Sequence, residues 1–83
     1  MISLFRFAEA MDCELENNSH KSGWDQCSDK WLLNRLRQEV RELARAIEEK
    51  KSADSILSEA ADVANFAYFL AYNYDIRSRQ EGA

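Results

Sequence analysis

The chain has 83 residues, a formal net charge of −4, no proline and two glycines. A chain this short is one domain, buries only about 60% of its unfolded surface and is a candidate for oligomerisation. The acidic balance argues against nucleic acid as the main partner. A hydrophobic fraction of 46% argues against disorder, and the scarcity of Gly and Pro argues against a hairpin-rich sheet.

The first stretch predicts a helix from Ile2 to about Leu15, with Leu4, Phe5, Ala8, Met11 and Leu15 recurring every three or four residues. Arg6 and Glu9 interrupt its apolar run, which is too short to span a membrane and has no cleavage pattern. With two thiols, Cys13 and Cys27, the expectation is a reduced, cytoplasmic protein.

Residues 17–30 read as a polar loop rich in Asn, Ser and Gly. Trp24 in such a loop has two readings. It either plugs the end of a helical bundle or flanks a ligand pocket. His20 and Lys21 are either solvated or in contact with a phosphate. Cys13, His20 and Cys27 offer three soft ligands on an irregular frame, a poor basis for structural zinc.

Ser28 or Asp29 caps a second helix that runs to about Lys50. Its stripe is Leu32, Leu33, Leu36, Val40, Leu43 and Ile47, within an arc of about 100°. Glu39 lies about 20° outside that arc, with Glu42 further round. Arg35 with Glu39, and Arg41 with Glu42 and Arg45, stand at the spacing of ordinary surface neighbours. The pair Glu39 and Glu42 therefore reads equally well as solvated charge.

Ser52, Asp54 and Ser55 make a short polar connection, which predicts an antiparallel helical hairpin. The third helix, from about Ser55 to Tyr74, is apolar almost all round. Ile56, Leu57, Ala60, Val63, Ala64, Ala67, Leu70, Ala71 and Tyr74 fill one wide side, with Phe66 and Phe69 opposite. Glu59 and Asp62 interrupt that surface. A buried carboxylate needs a metal, a basic partner or a shifted ionisation. The tail, residues 75–83, is polar and expected to fray.

Two acidic pairs thus stand out, Glu39-x-x-Glu42 and Glu59-x-x-Asp62, with sixteen residues between them. Spacing i, i+3 puts each pair on one helix face, and antiparallel packing can join the two. Carboxylates without His or Cys suit Mg²⁺, or Mn²⁺, rather than zinc. No phosphate-binding glycine loop or nucleophile elbow accompanies them.

The run from Trp31 to Leu43, with E-x-x-E-L, and the run Glu59 to Phe66, E-A-A-D-V-A-N-F, together resemble the MazG-like all-α nucleoside triphosphate pyrophosphohydrolases. The run His20-Lys21-Ser22-Gly23-Trp24 is similar to short, phage-type relatives. The resemblance implies that Glu39, Glu42, Glu59 and Asp62 are Mg²⁺ ligands and catalytic residues. It further implies Lys21 at a phosphate, and Trp24, Asn65 and Phe66 around the base. The implied reaction cleaves an NTP or dNTP to the monophosphate and pyrophosphate. The implied architecture is a helical hairpin plus an N-terminal helix, completed to a four-helix bundle in a homodimer or homotetramer. Two departures are the short chain and Phe66, where some relatives carry Tyr.

Two other readings compete. A non-catalytic oligomerisation or regulatory module on the same scaffold would pair its carboxylates with Arg35 or Arg41. A helical partner of a larger complex would dock through Phe69 and Tyr72.

Overall fold

In the computed structural model the chain is all-helical, and residues 1–17 and 23–81 are described. The order is α1 (Leu4–Asn17), a short 3₁₀ turn (Trp24–Gln26), α2 (Asp29–Glu48) and α3 (Ala53–Glu81). Helices α2 and α3 form the hairpin, and α1 packs on α3. No helix among the described residues is long and apolar enough to cross a membrane.

The helix starts follow from local side chains. Ser3 Oγ accepts the Arg6 amide, Ser28 Oγ accepts the Trp31 amide and Ser52 Oγ accepts the Ser55 amide. Each satisfies an amide that the first helical turn leaves without a partner. The third helix does not stop near Tyr74. The expected frayed tail is helical as far as Glu81. Arg77 reaches back to Asp29 at 2.9 Å and lies over the Tyr74 ring, and Arg79 pairs with Asp75 one turn earlier.

The hairpin turn is a Schellman motif. The Lys51 amide donates to the Ala46 carbonyl, and the Lys50 amide to the Ile47 carbonyl. The motif needs a left-handed residue after the helix, a place normally taken by Gly. Here Lys50 takes it, with φ 56°. Four residues thus reverse the chain without glycine or proline.

The core is small. Leu32, Phe66 and Phe69 are fully buried, with Leu15, Trp24, Cys27, Leu36 and Leu70 packed round them. Gly23, at φ 91°, turns the chain so that Trp24 stacks on Phe69 at 4.7 Å between ring centres. Tyr72 meets Trp24 edge-on at 4.9 Å. Of the two residues that the docking alternative would use, Phe69 is only 1% exposed and belongs to this core, while Tyr72 is 40% exposed.

All three expected stripes are displaced: on α3 the buried residues are Ala61, Asn65, Phe66 and Phe69, while Ala67, Ala71 and Tyr74 of the expected wide side are exposed. On α1, Leu4, Phe5 and Ala8 are exposed, and Phe7, Ala10, Met11 and Glu14 are the less exposed face. On α2 the buried residues are Leu32, Glu39 and Ala46, while Leu33, Val40 and Ile47 face outward. At ~100° per residue that buried trio is centred about 70° from the middle of the apolar arc. The arc is wider than α3 can cover, so one edge goes inward and the other stays bare.

Replacing Lys50 with Gly relieves a left-handed side-chain clash and stabilises the fold by about 0.5–1 kcal/mol, after the greater freedom of the unfolded glycine is offset. Lys50→Val, β-branched at the same φ, destabilises by about 1 kcal/mol or more. Urea unfolding of the three proteins checks both signs.

Candidate metal centre

The buried face of α2 lies against α3 where Glu59 and Asp62 interrupt the apolar surface. Glu39, Glu42 and Glu59 come together there. Each offers one carboxylate oxygen, and these oxygens lie within 4.8 Å of one another. Asp62 stands outside that trio but lines the same cavity of about 390 Å³. Glu14 from α1, Arg35 from α2 and Ser58 from α3 complete its wall.

Burial of the four sequence-derived carboxylates is uneven. Glu39 is 5% exposed, Glu59 and Asp62 are half-buried and Glu42 is exposed at the rim. Glu39 is therefore the deepest of the set, although the apolar arc of α2 placed it at an edge. One of its oxygens accepts from Arg35 Nη2 at 2.9 Å. The other, Oε2, is buried without a partner, as is Glu59 Oε2. Leaving such atoms unmatched costs on the order of 1–3 kcal/mol each, more when charged. A divalent cation with hard-oxygen preference answers that deficit, so the donor set fits Mg²⁺ or Mn²⁺.

The electrostatics point the same way. Burial lifts the Glu39 carboxyl to about 7, aided by a hydrogen bond with Glu42 and by the charges of Glu42 and Asp62, while Arg35 pulls it down. Burial also lifts Asp62 to about 7, with Glu14, Glu59 and Glu42 adding to it and Arg35 opposing. Glu59 is raised by burial, then by Glu42 and Glu14. These groups crowd negative charge into a place where water cannot fully screen it.

Of the expected substrate-binding residues, Trp24, Asn65 and Phe66 are not among the residues lining that cavity. Lys21, with His20, is outside the described residues. Trp24 covers Phe69 in the core, the plugging role. Phe66 is buried, with the Arg35 guanidinium 5.1 Å over its ring. Asn65 is buried between α1 and α3, where its Nδ2 donates to the Met11 carbonyl at 2.9 Å. It also lines a mainly apolar groove of about 450 Å³ with Met11, Leu15 and Tyr68.

Glu14 has no place in either acidic pair, whereas Arg35 stands at pairing distance from Glu39 in the sequence, both as a surface neighbour and as the partner that the non-catalytic reading expects. Glu14 follows Phe7 by seven residues and Ala10 by four, which puts it on their face of α1. That spacing was a usable signal, hidden by the more apolar Leu4, Phe5 and Ala8.

Comparison with known proteins yields no matching family model, and no curated protein or solved structure matches either.

The raised carboxyls set a pH dependence. Their folded-state values lie above the ordinary carboxylate range, so the folded form holds extra protons between about pH 4 and 7. The stability this confers is fully present below the unfolded values and is lost as pH rises through about 7. Melting curves without divalent metal should show Tm falling from pH 5 to pH 8. Mg²⁺ should raise Tm at pH 8 more than at pH 5, because it binds the ionised form. A Tm independent of pH over this range would contradict the buried-carboxylate description.

Proposed function

We propose that the chain is a Mg²⁺-dependent nucleoside triphosphate pyrophosphohydrolase that works as a homo-oligomer. One observation carries the reading. Glu39, Glu42 and Glu59 converge within 4.8 Å in a polar cavity, and two of their oxygens are buried without partners. The resemblance of E-x-x-E-L and E-A-A-D-V-A-N-F to the MazG-like enzymes supplies the reaction class.

Glu39, Glu42 and Glu59 would hold the cation, with Asp62 beside them in the same wall. A divalent cation there supplies charge neutralisation of the triphosphate and a more acidic bound water. The overall chemistry is attack of water oxygen on the α-phosphorus and cleavage of the α–β phosphoanhydride bond. The nucleoside monophosphate and pyrophosphate then leave. Glu42, the exposed carboxylate of the trio, would accept the water's proton. The base would lie towards Asn65, one turn along α3 from Asp62, where the α1–α3 groove opens.

The oligomer is supported by what the single chain leaves bare. Its accessible surface is 6135 Å². A compact monomer of its mass, 9.6 kDa, exposes about 5,100 Å². Large apolar side chains are among what is exposed. Leu33, Leu36, Val40, Leu43 and Ile47 follow an alternating three–four spacing, and Val40 and Ile47 are 47% and 57% exposed. That spacing is the seam of helices packed side by side. A second copy covering it would complete a four-helix bundle.

One observation favours the non-catalytic reading, in which the scaffold serves only oligomerisation or regulation. Arg35 is paired with Glu39 at 2.9 Å. In that case the arginine, rather than a metal, is the permanent partner of the buried carboxylate.

Two experiments test the proposal. Pyrophosphate release from a panel of NTPs and dNTPs should require Mg²⁺ and disappear with chelator. Glu59→Gln should lower kcat/KM by about 10²-fold or more. Cleavage of no nucleotide under any divalent metal, or full activity in Glu59→Gln, refutes the enzyme. Separately, Val40→Glu should shift the sedimenting species to the monomer while leaving the helical circular dichroism in place. A parent protein that sediments as a monomer refutes the oligomer.

A further inference from the structure

We propose that Arg35 is a phosphate-binding residue held in wait by Glu39, so that its guanidinium serves a carboxylate in the free protein and a substrate phosphate in the complex. The inference rests on reading the acidic cavity as a metal–triphosphate site.

The placement of Arg35 is unlike that of the other arginines on α2. Its side chain is 27% exposed and lies in the cavity wall. Arg37, Arg41 and Arg45 are exposed. Three contacts fix the guanidinium. Nη2 donates to Glu39 Oε1 at 2.9 Å, Nη1 donates to Gln38, and Cζ lies 5.1 Å over the Phe66 ring. A contact with an aromatic face holds the group from one side and lets its nitrogens exchange one acceptor for another. The same fork that matches a carboxylate matches a phosphate.

Charge balance supplies the reason for an exchange. Among the described residues, five carboxylates line the cavity, Glu14, Glu39, Glu42, Glu59 and Asp62, with Arg35 as the lining cation. In the free protein Arg35 offsets part of that charge. A divalent cation held by Glu39, Glu42 and Glu59 would take over that offset and weaken the pull of Glu39 on Arg35. A triphosphate would bring fresh negative charge to the same cavity, where the guanidinium is already half-buried in the wall. Arg35 thus competes with the metal for Glu39 and cooperates with it for the phosphates.

That opposition gives the test its signature. Isothermal titration of the full chain with MgCl₂ should show Arg35→Gln binding Mg²⁺ about tenfold more tightly than the parent, since a competing cation is gone. Titration with magnesium tripolyphosphate, which carries the phosphates without a base, should show the same variant about 10–100-fold weaker. Arg35→Lys keeps the charge and loses the fork. It should bind Mg²⁺ like the parent and tripolyphosphate several-fold more weakly, and it decides the matter if the Gln variant does not fold. Loss of both affinities in Arg35→Gln marks a merely structural arginine and overturns the proposal. Undiminished tripolyphosphate binding in a folded variant also overturns it, while the functional reading stands. A parent protein that binds neither Mg²⁺ nor tripolyphosphate overturns both.

Discussion

The structure depends on carboxylates buried between two helices that otherwise exclude water. Glu39 occupies the middle of the α2 face that packs on α3, between Leu32 and Ala46 at seven-residue intervals. An apolar residue there would simply extend the core. A carboxylate instead brings a desolvation cost of several kcal/mol. Two things meet that cost in the free protein: the ion pair with Arg35 and the uptake of a proton near neutrality, favoured by the neighbouring Glu42. Such an arrangement is weak as a source of stability, because an apolar pair would hold the helices as well.

The remaining parts hold the hairpin in register around that site. On one side of it along α3 lies the aromatic core, where Trp24, Phe66, Phe69 and Leu32 lock the helices together. On the other side the Schellman turn at Lys50 closes the hairpin within four residues. Ala46 and Ala61, both buried, keep side-chain bulk small between the two. The first helix adds Glu14 to the acidic wall, and Asn65 fastens it through the Met11 carbonyl. The site is thus framed from both ends, which limits how far its carboxylates can separate.

The cavity and the bare apolar seam share one helix, so the proposed assembly would bear on the site through it. Glu39 and Val40 are adjacent residues on opposite edges of α2. One faces the carboxylate cluster and the other faces outward. A copy packed on Leu33, Val40 and Ile47 would press α2 onto α3 and hold Glu39 in its buried place. Small helical domains commonly gain through association the core that their length denies them.

Much was legible in the sequence. Scarce turn residues and three-to-four spacings gave the three helices, with Ser28 or Asp29, and one of Ser52, Asp54 and Ser55, as candidate caps for the second and third. The two i, i+3 acidic pairs marked the cluster, because helical spacing alone places each pair on one face. The depth of each carboxylate was a different matter. Glu59 and Asp62 stood out against an apolar helix, whereas Glu39 became the deepest only because α2 turns about 70° from its apolar centre to meet α3. That rotation depends on two helices sharing one surface, so no single-helix pattern contains it. The same holds for Glu14, which joins the wall only once α1 docks, and for Lys50, whose backbone conformation no residue preference suggests. The sequence by itself determined the helices and which carboxylates can meet; the tertiary structure decided which are buried, because burial belongs to the packed pair and not to either helix.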